Sequence, residues 1–272
     1  MSGSGRHVRP AAVAGRFYAG DAAVLASTVD DALAHAAPWS GPAPKALIAP
    51  HAGYVYSGPI AATAYGTLAA ARDTVRHVVL LGPAHHVAVR GVAVSSADAF
   101  VTPLGPVPVD APLRDVVLAL PGVAVDDDAH APEHSLEVHL PFLQRALTRF
   151  SVLPLVVGRA DPATVAAVID AVWGGPDTLV VVSTDLSHYL DQRHATGRDR
   201  ATAAAIVDGR IDHLTGDDAC GAAPVRGLLV AARTHGLHAV LLDLRTSADT
   251  AGDPDRVVGY GAFAFVPDAT GA

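Results

Sequence analysis

The sequence is poor in lysine, cysteine and basic residues as a whole. Lys45 is its only lysine, and 19 basic residues face 27 acidic ones, which gives a formal charge of −8. Proteins that bind nucleic-acid phosphates present a stripe of Lys and Arg, so this balance argues against that class. The single cysteine, Cys220, excludes an internal disulfide. Without further context, a lone cysteine is most simply a small apolar filler.

Long apolar runs and targeting segments are lacking as well. No stretch reaches the roughly 18 uninterrupted apolar residues that a membrane-spanning helix needs, and the N-terminus has no signal-peptide core. We therefore expect a cytoplasmic protein with no membrane span. Hydrophobic residues make up 50% of the chain and charged residues 17%, which is typical of a globule with buried strands. Its 272 residues suffice for a single domain, with a flexible arm predicted at residues 1–10.

Apolar runs typical of buried strands alternate with helical patterns. The strand candidates are residues 46–49, 77–81, 91–95, 152–157, 179–183, 239–244 and 257–265. Apolar residues at helical spacing occur at 21–36, 134–147, 162–173, 198–209 and 223–236. The Gly/Tyr/Ser composition of "GYVYSG", after the first strand candidate, predicts a loop. The alternation predicts a single α/β domain with a mostly parallel or mixed central sheet and helices on both faces.

Titratable residues follow three of the predicted strands. "IAPHAG" contains His51, "LLGPAHH" contains His85 and His86, and "VVSTDLSH" contains Asp185 and His188. In open α/β sheets the ligand site lies beyond the carboxyl ends of the strands, so we expect these side chains to converge. Neutral imidazole binds zinc, copper, iron and nickel, and two such histidines could begin a metal site. The alternative is that both are hydrogen-bonded structural histidines.

Two groups of polar residues are candidates for catalytic or pocket-lining roles. "PEHSLEVHLP" contains Glu133, His134, Glu137 and His139, and a helix there would place His134 and Glu137 on one face. This cluster is either a polar helix start or a wall of the active site, and its histidines are not at the H-E-x-x-H spacing. Asp185 and His188 could form a hydrogen-bonded acid/base pair.

Several motifs of other enzyme classes are missing. The sequence has no G-x-S-x-G elbow, no Walker loop and no G-x-G-x-x-G. "GYGAF" near the C-terminus indicates a strand with a close backbone approach rather than a phosphate loop. Serine hydrolases and common nucleotide binders are therefore disfavoured.

Seven segments together resemble a known family. They are "GRFYAGD", "APHAGYVYSG", "LLGPAHHV", "EHSLEVHLPF", "VVSTDLSH", "CGAAPVRGLL" and "VGYGAFAF", in this order. The sequence is similar in them to the Memo family, whose microbial members are called AmmeMemoRadiSam system protein B. The resemblance covers nearly the whole chain. Any one of these motifs alone would be a weak signal, but their shared order is specific.

The resemblance implies a fold similar to the class III extradiol dioxygenases and a mononuclear metal site. The implied metal ligands are His51, His85 and Cys220, with Asp185 and His188 as catalytic groups beside them. A thiolate with two imidazoles suits iron or copper and would also accept zinc. No other cofactor is expected. The remaining pocket residues are expected to be Tyr54, His86, Glu133, His134, Glu137 and His139.

Three functions are compatible with this site. The leading one is metal-dependent redox chemistry or metal handling, with an unknown small molecule as ligand. A non-haem iron dioxygenase acting on an aromatic diol is the enzymatic alternative, although a thiolate in place of the usual carboxylate departs from that chemistry. A metal-stabilised binding module is the third, acting with the AMMECR-type and radical SAM partners that the family name implies. In each case we expect Asp185 to orient His188 and to favour its protonated form.

Overall fold

The computed structural model describes residues 7–267, which form strands and helices in alternation. The strands are β1 (Val8–Arg9), β2 (Ala46–Ala49), β3 (His77–Pro83), β4 (Val92–Val94), β5 (Ala99–Thr102), β6 (Gly105–Pro108), β7 (Val123–Val125), β8 (Ser151–Val157), β9 (Thr178–Ser183), β10 (His188–Leu190), β11 (Leu237–Thr246) and β12 (Val257–Pro267). The helices are α1 (Ala22–His35), α2 (Tyr54–Gly66), α3 (Ala111–Leu118), α4 (Asp127–His130), α5 (Leu140–Ala146), α6 (Pro162–Ala171), α7 (Gln192–Val207) and α8 (Ala222–Thr234). No helix in this part of the chain is long and apolar enough to cross a membrane.

A mixed sheet of nine strands forms the centre of the domain. Its order is β10-β12-β2-β9-β3-β8-β4-β7, and β11 pairs with β12. β2, β9, β3 and β8 run parallel, whereas β12 and β4 pair antiparallel on either side of them. Val/Leu/Ile runs suit these central strands because helices cover both faces of the sheet. The predicted single α/β domain with a mixed sheet and flanking helices is confirmed, while β1, β5 and β6 form a separate small sheet.

Alternate residues of the central strands enter two cores on opposite faces of the sheet. Leu47 and Leu80 belong to the core that also contains Tyr65 of α2. Ile48 and Leu81 belong to the other core, which α6 and α8 cover. Because side chains alternate along a strand, one continuous apolar run can fill both cores.

Aspartate side chains mark the beginnings of several helices. Asp21, Asp161 and Asp191 each accept hydrogen bonds from backbone N–H groups in the first turn that follows. α1 and α6 begin where the sequence predicts them. α7 begins earlier than predicted because Asp191 caps it.

The segment after β2 is a helix, not the predicted loop. α2 begins at Tyr54 and continues through Pro59. Its Ile60 and Tyr65 are buried in the core. Packing of an alanine-rich segment against the sheet therefore overrides the poor helix propensity of Gly and Pro.

The helix predicted from His134 begins later, at a 3₁₀ turn over Glu137–His139 that leads into α5. The carboxylate of Glu133 accepts the backbone N–H groups of His134 at 3.0 Å and Ser135 at 2.9 Å. These donors are thus satisfied outside a helix. The prediction that His134 and Glu137 share a helical face is therefore wrong.

Residues 8 and 9 form β1 rather than part of a flexible arm. β1 pairs in parallel with β5, and Arg9 is buried. The Arg9 guanidinium forms an ion pair with Glu137 and donates to the carbonyl oxygens of His130 at 3.1 Å and Glu133 at 2.5 Å. These contacts satisfy a buried charge and hold the segment in place. Residues 1–6, the rest of the predicted arm, lie outside the described residues.

Candidate metal centre

The carboxyl ends of β2, β3 and β9 meet at one edge of the sheet and open into a cavity of about 830 Å³. His51 follows β2, His85 follows β3, and Asp185 follows β9. His188 and Cys220 line the same cavity, and Cys220 comes from the segment that precedes α8. The predicted convergence of the strand ends is confirmed.

His51 keeps its Nε2 atom available because Ser183 holds its other ring nitrogen. Nδ1 lies 2.5 Å from Ser183 Oγ, and that hydroxyl donates its proton to the Ser135 carbonyl oxygen at 2.6 Å. Ser183 can then only accept from the ring, so we assign the proton to Nδ1. Nε2 retains its lone pair and lies 3.3 Å from Cys220 Sγ. Burial, and then the neighbouring His85, lower the pKa of His51 well below its ordinary value.

His85 is oriented in the same way by Glu133. Its Nδ1 lies 2.9 Å from Glu133 Oε1, and its backbone N–H donates to Glu133 Oε2 at 2.7 Å. Burial raises the pKa of Glu133, but the hydrogen bonds from His85 outweigh that effect and bring the pKa to about 2. Glu133 is therefore an ionised acceptor, which places the proton of His85 on Nδ1 and leaves Nε2 free.

The Cys220 sulfur lies against the end of β9. The backbone N–H of Asp185 donates to Sγ at 3.3 Å. A Cβ on Gly221 would lie 2.5 Å from the Ser183 carbonyl oxygen, so only glycine allows this close approach. Burial, and then the Asp185 carboxyl, raise the pKa of the Cys220 thiol to about 12. Without a cation nearby, Cys220 is a protonated thiol.

Asp185 and His188 do not form the predicted acid/base pair. The Asp185 carboxyl accepts the backbone N–H of His51 at 2.8 Å, and burial raises its pKa to about 7. His188 bonds the Leu186 carbonyl instead, and within residues 7–267 no hydrogen bond joins its ring to Asp185. Burial lowers the pKa of His188, so its neutral form is favoured. The expectation that Asp185 orients and protonates His188 is wrong, because the turn after β9 directs the carboxyl towards β2.

A third imidazole, that of His134, completes the group. One ring nitrogen from each of His51, His85 and His134 lies within 4.8 Å of the others. The His134 ring stacks on His85 with 4.6 Å between centroids and contacts Phe17 at 4.7 Å. Burial, and then His85, lower the pKa of His134 to about 4. The sequence places His134 in the pocket wall, and the structure brings it within reach of a metal as well.

Several residues predicted to line the pocket lie outside it. Tyr54 is buried, and its hydroxyl donates to the Val138 carbonyl oxygen at 2.6 Å. His139 is buried with Nδ1 at 2.9 Å from the Tyr65 hydroxyl. Both lie among the residues packed between α2 and α5: Tyr54 begins α2, and the 3₁₀ turn over Glu137–His139 directs the His139 side chain inward.

Glu137 is a structural anchor rather than a pocket residue. It is fully buried, pairs with Arg9 and accepts the Tyr18 hydroxyl at 2.6 Å. His86 and Glu133 are not among the cavity-lining residues either, although both adjoin His134. Of the pocket residues predicted in this cluster, only His134 faces the cavity.

Aromatic and basic residues that the sequence patterns did not single out complete the cavity wall. They are Phe17, Tyr56, Tyr189, Arg198, Arg256 and Tyr260. Tyr189 has a φ of 61°, and the Arg256 guanidinium lies 4.3 Å from its ring centroid. Tyr260 lies in the "GYGAF" strand, where a Cβ on Gly259 would lie 1.9 Å from Asp199 Oδ2, so the close backbone approach predicted there is confirmed. Phe17 and Tyr56 lie in segments that carry the family resemblance, and Tyr189 directly follows His188. Arg198 and Arg256 come from other parts of the chain and had no local signal.

Together, the sheet and its edge define a single α/β domain with a candidate metal centre beyond the carboxyl ends of its parallel strands. The family model described as Memo-like protein matches residues 9–264. The chain belongs to this Memo-like family.

Relatives in distant organisms share most of the chain's length. A MEMO1 family protein of Aquifex aeolicus is 36% identical over 95% of this chain and 99% of its own length. One from Methanothermobacter thermautotrophicus is 36% identical over 93% of this chain and 98% of its own. A solved structure, that of the uncharacterized protein JW3007 of Escherichia coli K12, is similar over 80% of this chain and 98% of that one, with 14% identity and a TM-score of 0.49. The expected likeness to the class III extradiol dioxygenases stays a prediction.

Proposed function

We propose that the protein binds one iron or copper ion through His51, His85 and Cys220 and has a redox or metal-handling role. The observation that carries the proposal is that both histidines have Nδ1 held by a partner, at 2.5 and 2.9 Å, which leaves two Nε2 donors, that of His51 at 3.3 Å from the half-buried Cys220 sulfur. Metal-ligating histidines in proteins are oriented in this way. His139 also has its Nδ1 held, by the Tyr65 hydroxyl, but within residues 7–267 it belongs to no group of clustered donor atoms, so a held Nδ1 marks a ligand only where other donors are close.

The distance between His51 and Cys220 matches that between two ligands of one ion. Nitrogen and sulfur ligands at about 2.0 and 2.3 Å from one tetrahedral ion lie about 3.5 Å apart. The observed separation of His51 Nε2 and Cys220 Sγ is 3.3 Å. His85 and His134 offer nitrogens within 4.8 Å of His51. Among the described residues, Cys220 belongs to no group of three donors within 4.8 Å, so the His85 and Cys220 side chains would have to draw closer to share one ion.

The chemistry of the donor set favours iron or copper. Two imidazoles and a thiolate form a soft, electron-rich set that would also accept zinc. A bound cation stabilises the thiolate and so offsets the burial that keeps Cys220 protonated. When bound, iron or copper would supply one-electron redox chemistry at the cavity.

Residues of the chain would position a ligand and its protons next to that ion. Asp185 fixes the backbone of His51 through a 2.8 Å hydrogen bond. His188 lines the cavity and is free of Asp185, so its ring can hold or release a proton at a bound molecule. We propose these two residues as the acid/base groups of the site.

A dioxygenase acting on an aromatic diol is the second candidate. The rings of Phe17, Tyr56 and Tyr260 line the cavity and favour a flat ligand. The Cys220 thiolate in place of a carboxylate disfavours that reaction, because it departs from the usual iron ligand set and is itself open to oxidation. A binding module acting with AMMECR-type and radical SAM partners in the cytoplasm would need no turnover. Oxygen consumption with a panel of diols separates these two from each other.

Metal analysis of Cys220→Ser tests the proposal. The parent protein, purified without added metal, should contain close to one iron or copper ion per chain, and the variant should have lost most of it. Removal of one small buried sulfur should lower the free energy of unfolding by only about 1 kcal/mol. Metal content is measured by mass spectrometry and stability by urea denaturation.

Ser187→Ala is the matched control. Ser187 is buried two residues after Asp185, but it is not among the cavity-lining residues and belongs to no group of clustered donor atoms within residues 7–267. This variant should keep the parental metal content. Equal metal in Cys220→Ser and the parent would refute the assignment of Cys220 as a ligand.

A further inference from the structure

A second cluster of side chains that can bind a metal adjoins the proposed centre. His86, Glu133 and His134 each offer one ligand atom within 4.8 Å of the others, and we call them the outer cluster. His134 also belongs to the inner cluster, formed with His51 and His85. One imidazole thus joins two groups of donors.

The outer cluster has unused binding capacity. His86 is exposed, and in the described part of the chain its ring has no hydrogen-bond partner and makes one aromatic contact, with His134 at 5.8 Å between centroids. Glu133 Oε1 already accepts hydrogen bonds from His85, His134 and Ser135. Glu133 Oε2 accepts only one, from the backbone N–H of His85, so a lone pair remains for a cation.

Sharing His134 prevents both clusters from being filled at once. A neutral imidazole has one nitrogen with a free lone pair, so His134 can bind one ion at a time. An ion held by the outer cluster must leave His86 and Glu133 before it is fully bound by the inner one. The outer and inner clusters are therefore alternative positions of one ion, and the inner cluster shares His51 and His85 with the proposed metal centre.

We propose that the outer cluster is an entry site, from which a transition-metal ion passes by way of His134 to the centre formed by His51, His85 and Cys220. This inference rests on the metal centre proposed above. The direction follows from the ligands: two imidazoles and a carboxylate hold iron, copper or zinc ions, and the added thiolate of Cys220 binds them more tightly. The thiol releases its proton when the sulfur binds the ion.

The position of the outer cluster suits this role. His51 is only 2% exposed, whereas His86 is exposed. His86 does not line the cavity, so an ion that enters there does not occupy the space of a cavity ligand. His134 does line the cavity and spans the two positions.

Loading with cobalt(II) alone tests the entry site. A sulfur-to-cobalt charge-transfer absorption band reports arrival of the ion at Cys220 and can be followed by stopped-flow mixing. We expect cobalt to reach Cys220 about tenfold more slowly in His86→Gln than in the parent. This factor corresponds to about 1.4 kcal/mol of binding free energy lost from the transient complex of cobalt with the outer cluster. The final band and a stoichiometry of one ion per chain should stay unchanged. Release of cobalt from the loaded variant to a chelator should slow by the same factor. The entry site changes the rates of loading and release equally, so the affinity of the metal centre for cobalt stays the same.

His35→Gln serves as the control, because His35 is also exposed and lies outside the cavity and both clusters. It should load at the parental rate. A parental rate in His86→Gln, or two cobalt ions bound per chain in the parent, would overturn the entry site while the metal centre stands. Absence of the sulfur-to-cobalt band in the parent would overturn the metal centre itself, and the entry site with it.

Discussion

One ring nitrogen of each proposed histidine ligand is held by a hydrogen-bond partner. Nδ1 of His51 is held by Ser183, and Nδ1 of His85 is held by Glu133. A hydroxyl that already donates elsewhere and an ionised carboxylate can both only accept from the ring. Both imidazoles are thereby fixed as Nε2 donors before any ion arrives. The proposed ligand set thus depends on residues that do not themselves need to touch the metal.

Replacing Glu133 by Gln tests this dependence. The amide keeps the shape of the side chain but can donate as well as accept, so the proton on His85 Nδ1 is no longer enforced. We expect metal affinity to fall about 10- to 100-fold, measured by competition with a chromogenic chelator. Asp126→Asn is the control, since Asn also caps the helix that Asp126 begins. Parental affinity in Glu133→Gln would contradict the orienting role.

His188→Ala separates an acid/base residue from a ligand. The ring of His188 bonds a backbone carbonyl and lies outside both groups of clustered donor atoms. We expect the variant to keep its metal, while turnover of a verified substrate falls roughly 100- to 10,000-fold. His51→Ala, measured alongside, should lose the metal. Metal loss in His188→Ala would make that residue a ligand.

The sequence identified the residues at the strand ends but not all of their contacts. His51, His85, Asp185 and Cys220 meet because strand ends converge, which pattern and motif together could predict. The partner of Asp185 could not be predicted, because a carboxyl three residues from a histidine can equally accept a backbone N–H from another strand. Arg256 likewise joins the wall from a loop distant in the chain, with no local signal.

At the scale of elements, the approach of the segment before α8 to β9 positions the sulfur. A Cβ at Gly221 would lie 2.5 Å from the Ser183 carbonyl oxygen. Gly221→Ala should therefore push Cys220 away from the strand end, lower the free energy of unfolding by about 1–3 kcal/mol and weaken metal binding. Gly216→Ala, in the same loop with nothing within 4 Å of the added Cβ, should change neither property. Equal behaviour of the two variants in urea denaturation and metal titration would refute this account.

Long apolar strands were predictable because their burial on both faces makes them continuous Val/Leu/Ile runs, as in β3, β8 and β9. The helix α2 and the turn at Glu133 were not. α2 depends on packing against the sheet, and the Glu133 turn depends on a carboxylate that satisfies backbone donors locally. Both features result from tertiary contacts, and the spacing of residues along the chain does not predict such contacts.

For the whole molecule, buried histidines make stability depend on pH. Burial lowers the pKa of His130 to about 4 and that of His139 to about 3. The unfolded chain, with histidine pKa values of about 6.5, binds more protons than the folded one in this range, so stability falls as the pH drops below that value. Each such group contributes up to about 1.4 kcal/mol per pH unit within its window.

His139→Phe checks this contribution away from the metal centre. The variant should be less stable near pH 7, since the Tyr65 hydroxyl loses its partner, but its stability should fall less steeply between pH 6.5 and about 4. Urea denaturation at several pH values measures both slopes. Parallel slopes for variant and parent would show that His139 does not titrate on unfolding.

X-ray absorption at the metal edge of the loaded protein shows directly whether Cys220 is a ligand of the bound ion. We expect one sulfur scatterer at about 2.3 Å together with nitrogen scatterers at about 2.0–2.1 Å, and loss of the sulfur shell in any metal retained by Cys220→Ser. A first shell of nitrogen and oxygen atoms alone in the parent would contradict it.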